Sequence, residues 1–230
     1  QTEANKQNVI YENNGLKILS LKKFEMHRGT VYLIDGAMGS GKTALINILS
    51  RKINLKKGSC EFEQNKISSY SSKNFNNQLA VVPQEFSPPF GSVNKYLNKT
   101  LKKYSHITNV QKSIDDIARK MQFEHLMERK MRQLSPGQLR WILLAVGIAS
   151  DTKVLLIDEI EQHLNRNNLN NLAKILYQKS NYDGVTIIAS TVNKDLLSQQ
   201  LPSVSVTLEN GRIVSVRSMK KKRKKYNRKK

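Results

Sequence analysis

Apolar residues recur along the chain with two different periods, and the points where one period gives way to the other divide it into elements. Short β-prone runs at Val9–Tyr11 and Val31–Ile34 are separated by turn signals such as Asn13-Asn14-Gly15 and Arg28-Gly29, which predicts two or three strands over residues 9–35. A glycine loop follows, and Ala44–Lys52 continues with apolar residues at helical spacing, so 31–52 reads as strand, loop and helix. Residues 58–83 return to strand and loop and finish in Leu79-Ala80-Val81-Val82-Pro83. From about Ser92 to Gln133 the spacing is three and four, through Val93, Tyr96, Leu97 and Leu101 and then Ile114, Ile117, Ala118 and Met121, which predicts an inserted helical block. Beyond Pro136 a helix is expected to about Ser150. A buried strand follows at Val154–Ile157, then a helix over 166–180 and another buried strand at Val185–Ala189. Strands and helices alternating in this way predict a parallel sheet. Ser203–Leu208 and Arg212–Val216, joined by Glu209-Asn210-Gly211, read as a closing hairpin.

Composition narrows the class. With 38% apolar and 25% charged residues in 230, the chain has the make-up of a globular protein able to bury a core. The net charge of +21 is the anomaly, and nine of the residues in 220–230 are Lys or Arg, so that the body without them stands at +12. Such a balance predicts attraction to nucleic acid, anionic lipid or another polyanion; a lysine-rich compositional bias is the alternative. Cys60 is the single cysteine, which excludes an intrachain disulfide and fits a reducing, cytoplasmic setting. The longest apolar run, Trp141 to Ala149, is too short for a bilayer span of about 20 residues, and no signal-type apolar segment opens the sequence.

The candidate chemistry begins at Gly36-Ala37-Met38-Gly39-Ser40-Gly41-Lys42-Thr43, which matches the G-x-x-x-x-G-K-[ST] phosphate-binding pattern in its required place between a strand and a helix that continues from Ala44. Glycines let the backbone amides turn inward around phosphates, and the helix N-terminus adds partial positive charge. Lys42 reaches the outer phosphates and the Thr43 hydroxyl ligates Mg2+. Val154-Leu155-Leu156-Ile157-Asp158-Glu159 is an apolar strand ending in two acids, a placement that sets Asp158 beside the metal and Glu159 beside an attacking water. Helix capping is the alternative use of such acids. Leu134-Ser135-Pro136-Gly137-Gln138 opens a helix with Ser135 at the N-cap and Pro136 at the first helical position; a capped helix start and an anion site are both open readings of it.

Taken together these segments resemble the ABC ATPases, whose signature Leu-Ser-Gly-Gly-Gln stands ahead of a strand ending in Asp-Glu, as Leu134–Gln138 does here; the likeness of order extends over residues 9–216. The resemblance implies an α/β P-loop NTPase of the ABC ATPase type with an N-terminal antiparallel β subdomain and an inserted α-helical subdomain at about 86–150. Residues 1–218 would form the ATPase domain and 219–230 a basic, disordered tail. It implies ATP and Mg2+ as ligands. Nucleotide contacts would come from Tyr11, which either stacks on adenine or simply packs, from Gly36, Ala37, Met38, Gly39, Ser40, Gly41, Lys42, Thr43 and Ala44, and from Ser135, Gly137 and Gln138 of a facing molecule. The metal would be held by Thr43, Gln84 and Asp158, and catalysis carried by Glu159, Gln84 and Lys42. Ser92-Val93-Asn94 resembles the segment opening the helical subdomain, and Leu208–Ile213 the closing strand pair.

Departures from the family pattern accompany the likeness. Where a switch histidine is expected after Ile187-Ile188, Thr191 stands, which implies hydrolysis that is slow or assisted differently. The loop after Glu159 reads Gln162-His163-Leu164-Asn165 in place of Ser-Ala-Leu-Asp, and Pro136 replaces the first signature glycine, removing one N–H. His163 is read as a solvent-exposed loop residue or a surrogate switch. The implied role is an ATP-hydrolysing subunit that pairs with a second ABC ATPase domain, the same or different, and powers a separate transmembrane permease from the cytoplasmic face of a membrane. The alternatives are a non-transport ATPase acting on nucleic acid or the ribosome, with the basic tail contacting nucleic acid, and a degenerate ATP-binding regulatory subunit with slow turnover. Contact of the tail with anionic lipid fits the first role.

Overall fold

The computed structural model describes residues 9–13, 16–21, 24–55, 57–193, 197, 201 and 203–219. The expected basic, disordered end falls almost entirely on 220–230, outside the described residues. The strands are β1 (Val9–Asn13), β2 (Leu16–Leu21), β3 (Val31–Asp35), β4 (Glu61–Phe62), β5 (Asn65–Lys66), β6 (Leu79–Val82), β7 (Val154–Ile157), β8 (Thr186–Thr191), β9 (Ser203–Glu209) and β10 (Arg212–Met219). The α-helices are α1 (Lys42–Leu49), α2 (Ser72–Gln78), α3 (Val93–Leu101), α4 (Val110–Met121), α5 (Pro136–Ala149) and α6 (Arg166–Asn181).

The main sheet has six strands in the order β10-β9-β3-β8-β7-β6. Every neighbouring pair from β9 to β6 is parallel, and only the edge strand β10 runs antiparallel to its neighbour. A parallel sheet is covered on both faces, which is why its central strands are apolar without alternation. Successive residues feed opposite layers. Val31, Leu33, Leu155, Ile157, Ile187 and Ala189 join a core shared with α3 to α6. Tyr32, Ile34, Val154, Leu156 and Ile188 join a second core with α1 and the separate antiparallel pair β1–β2. The result is the mixed α/β sheet of a P-loop NTPase, with an antiparallel pair near the N-terminus and three helices inserted between β6 and β7.

Helix α5 is buried on all sides from Arg140 to Ile148, the condition of a helix packed between a sheet and other helices. It touches β6 and β7 on one side and α3 and α4 on the other. The stretch 58–83, expected as strand and loop, also holds the helix α2 and the small hairpin β4–β5. That hairpin turns through Glu63 and Gln64, both at positive φ of 49° and 65°, where a sequence signal would need Asn or Gly. Among the described residues no helix is long and apolar enough to cross a membrane.

Candidate functional site

The buried strand β3 leads straight into the glycine loop, and α1 starts at Lys42 directly after Gly41, whose φ of 102° lies in the region that favours glycine. A Cβ on Gly41 would stand 2.9 Å from Leu19 of β2, and one on Gly36 would collide with the Leu208 carbonyl. The loop is therefore wedged between β2 and β9. The β9–β10 turn fastens it further, because the Gly211 N–H donates to the Ser40 carbonyl at 3.0 Å while the Ser20 N–H donates to the Gly211 carbonyl at 2.8 Å.

Within this frame Lys42 is 7% exposed, and its ammonium donates to the Gly36 carbonyl at 2.5 Å and the Ala37 carbonyl at 2.9 Å. Ser40 is buried; Ala37, Met38 and Gly39 are exposed along the crest, and Ala44 is half-buried below it. Tyr11 pairs in register with Leu19, the residue against Gly41, and is half-buried against the second core.

Asp158 continues from β7 and is 3% exposed. Its carboxylate accepts from the Ser190 hydroxyl at 2.5 Å and from the Thr43 hydroxyl at 3.4 Å, bringing together the end of β7, the end of β8 and the start of α1. Hard oxygen donors at this separation suit magnesium, which takes one or two protein ligands and fills its other positions with water and phosphate oxygens. The residues present fit that ion. Gln84 lies half-buried two positions beyond β6, whose last residue, Val82, accepts from the Asp158 N–H through its carbonyl at 2.9 Å.

Glu159 is half-buried and has φ 49°, an uncommon conformation for a residue with a side chain. Its N–H donates to the Ser190 hydroxyl at 2.7 Å. On the other side Arg140 of α5, 2% exposed, donates through Nη2 to the carbonyls of Asp158 at 2.6 Å and Glu159 at 2.8 Å, and through Nη1 to the Pro83 carbonyl at 2.6 Å. Burial pulls the Arg140 guanidinium down to about 10, although the nearby acids Asp158, Glu159 and Glu161 act in the opposite direction.

Ser135 is exposed at the N-cap of α5, where its hydroxyl accepts from the Gln138 N–H at 3.3 Å and its own N–H donates to the Gln138 side-chain oxygen at 3.0 Å. Gln138 thus serves a capping box, and Pro136 occupies the first helical position, where its missing N–H costs nothing. Gly137 faces the loop after Glu159, since a Cβ there would stand 2.9 Å from the His163 carbonyl. His163 is exposed, and Asn165 caps α6 by accepting from the Asn168 N–H at 2.8 Å.

Thr191 is the last residue of β8 and fully buried; its hydroxyl donates to Glu161 at 2.9 Å. The same carboxylate accepts from the N–H groups of Val192 at 2.7 Å and Asn193 at 3.2 Å. The first exposed side chain beyond the strand is therefore Val192, 55% exposed. Sequence reasoning singled out Thr191 and missed Ser190, Arg140 and Glu161. A lone Arg leading an apolar run and a Ser at the end of a buried strand are the signals available for two of them.

A family model described as ABC transporter matches residues 19–162. A putative ABC transporter ATP-binding protein of Clostridium tetani is 26% identical over 215 residues, covering 93% of this chain and 48% of its own length. The molybdate import ATP-binding protein MolC of Haemophilus influenzae is 29% identical over 177 residues, covering 73% of this chain and 64% of its own length. The chain thus spans about half of the first relative and under two thirds of the second. Among solved structures, the ATP-binding cassette MJ0796, in a dimeric post-hydrolysis state bound to ADP and Pi, superposes with a TM-score of 0.80 over 94% of this chain and 97% of its own, at 17% identity.

Proposed function

We propose that this chain, which belongs to the ABC transporter family, binds and hydrolyses ATP, pairs with a second ATPase domain around the nucleotide, and drives transport through a separate membrane-spanning subunit. One observation carries this reading: the Thr43 hydroxyl and the Asp158 carboxylate meet at 3.4 Å, and Thr43 follows the buried Lys42, so a phosphate loop and an acidic strand end come together.

In this reading Lys42 and the amides of Gly36–Thr43 grip the outer phosphates, with Ala44 in the first turn below them. Tyr11 lies one strand beyond the loop and stacks on the adenine. Thr43, Asp158 and Gln84 would hold magnesium, which would neutralise charge on the phosphates. Glu159 takes the proton of the attacking water, and Gln84 orients that water. Ser135, exposed and with its hydroxyl proton still able to donate, faces the nucleotide of a partner domain together with Gly137 and Gln138. Donors from two surfaces balance a triphosphate better than one surface can, which makes the nucleotide the adhesive between the domains.

Among the described residues no imidazole stands at the end of β8, where Thr191 is buried and Val192 is exposed. Slow turnover follows from that. The same observation favours the second reading, a subunit that binds ATP in a regulatory role beside a faster partner. Both readings place the chain on the cytoplasmic face of a membrane. The Lys- and Arg-rich end supports attraction to anionic lipid or nucleic acid by its charge.

The pairing is tested by light scattering of the Glu159→Gln chain. With ATP and Mg2+ the mass doubles, and Ser135→Arg or Lys42→Ala returns it to that of one chain. A mass unchanged by ATP in the Glu159→Gln chain contradicts self-pairing.

A further inference from the structure

Arg140 carries a cation into the interior of the fold. Its hydrogen bonds, among the described residues, run to three peptide carbonyls, and its Nε is buried with no partner. A buried guanidinium is a poor choice for stability alone, because apolar residues of similar volume often hold a fold as well or better. What it grips is specific. The peptide unit joining Asp158 to Glu159 is held at its oxygen by Arg140 and at its N–H by the Ser190 hydroxyl. The next unit, joining Glu159 to Ile160, is held at its oxygen by Arg140 and at its N–H by the Ser190 carbonyl, at 3.0 Å. Glu159, at φ 49°, is thus bracketed on both sides, and a strained backbone persists only where its surroundings over-determine it. The third bond reaches Pro83, whose carbonyl belongs to the peptide leading into Gln84.

We infer that Arg140 is a positioning residue that aims the Glu159 carboxylate and the Gln84 side chain together, and ties both to the helix headed by Ser135. This rests on the ATPase reading above. Arg140 is buried with its guanidinium on peptide carbonyls, and acts by fixing the two peptides of Glu159 and the one before Gln84. Because Ser135 caps the same helix little more than one turn away, a shift of α5 caused by a partner's nucleotide moves this chain's own base and glutamine. The phosphate loop is carried by β3 and α1 and meets Asp158 at its side chain, through Thr43, whereas Arg140 holds the Asp158 backbone carbonyl. Turnover and nucleotide affinity are therefore separable.

The test compares the parent chain with Arg140→Met and Arg140→Lys, measuring steady-state ATP hydrolysis and the Kd for ATP with Mg2+. Arg140→Met is expected to lower kcat by roughly 10- to 100-fold, the scale of a misplaced catalytic group, with Kd within about twofold. Arg140→Lys, which keeps a donor, recovers part of kcat at the same Kd. Should Arg140→Met fail to fold, a kcat of Arg140→Lys between a tenth and a half of the parent at unchanged Kd supports the role. A folded variant with parental kcat, or with kcat and Kd impaired in proportion, overturns it.

A second readout does not need turnover. Trp141 is the only tryptophan, buried next to Arg140, with its indole N–H donating to the Met121 carbonyl at 2.8 Å. ATP with Mg2+ is expected to change its emission in the parent and in Glu159→Gln, and to leave it unchanged in Arg140→Met that still binds ATP. An equal response with and without Arg140 overturns the linkage. A parent chain that binds ATP but never hydrolyses it counts against the ATPase reading, and the Trp141 comparison still decides this one.

Discussion

The Ser190 hydroxyl donates to the Asp158 carboxylate at 2.5 Å and accepts the Glu159 N–H at 2.7 Å, so one side chain at the end of β8 orients both acids at the end of β7. Removing it frees the Asp158 carboxylate to rotate away from Thr43 and leaves the N–H of the half-buried Glu159 without this partner. Ser190→Ala should raise the Mg2+ concentration needed for half-maximal ATP hydrolysis about tenfold and cost about 1–3 kcal/mol of stability. A magnesium titration of the ATPase rate and urea unfolding of the same preparation check the two effects.

Gly137 meets the loop that follows Glu159 at the His163 carbonyl. Its helical backbone would tolerate alanine, but the added methyl has to push that loop away, since it would lie 2.9 Å from a backbone oxygen. Gly137→Ala is expected to lose about 1–3 kcal/mol of stability, the range for overpacked sites, and to slow hydrolysis by shifting the loop. Thermal unfolding of the variant beside the parent measures the first effect, and phosphate release the second.

The end of β8 gives a gain-of-function prediction. Thr191 has no room for an imidazole, being fully buried with its hydroxyl on Glu161, whereas Val192 is 55% exposed. Val192→His should fold like the parent and hydrolyse ATP about tenfold faster or more, on the scale of a donor added near a transferring phosphoryl group. Thr191→His should be markedly less stable. Equal rates for the parent and Val192→His would show that the exposed position does not limit turnover.

Cys60 is half-buried beside Glu61, and burial first, then the carboxylate, push its thiol up to about 11. Its proton is held more tightly in the folded chain than in the unfolded one. This contribution to stability is therefore complete below the ordinary thiol pKa of 9.0 and is lost as pH rises toward 11. Alkylation at pH 8.5 should be roughly tenfold slower, or more, in the native chain than in urea, because the thiolate is the reacting form. As the single cysteine, it gives an unambiguous mass shift.

The glycine loop and the acidic strand end are legible in the sequence because motif and periodicity coincide: Gly36–Thr43 falls between an apolar strand and a helix, and Asp158 closes a four-residue apolar run. The supports of the acids are not legible. Arg140 and Ser190 reach Glu159 across 19 and 31 positions of sequence, and no spacing rule marks such contacts. The end of β8 was obscured for a related reason. Its apolar pattern stops at Ala189, but the strand runs on through Ser190 and Thr191, whose hydroxyls bind carboxylates within the fold. Helix α2 buries only Phe75 among polar residues and starts from a Ser71 cap, so its periodic signal is too weak to stand out.

The proposed function requires that the Lys42 loop grip a triphosphate whose hydrolysis depends on Glu159. Phosphate release from ATP, measured with and without Mg2+ on the parent chain, Lys42→Ala and Glu159→Gln, with ATP binding by calorimetry on all three, tests it most directly. Magnesium-dependent turnover is expected in the parent, binding without turnover in Glu159→Gln, and neither in Lys42→Ala. Turnover that survives in both variants would contradict it.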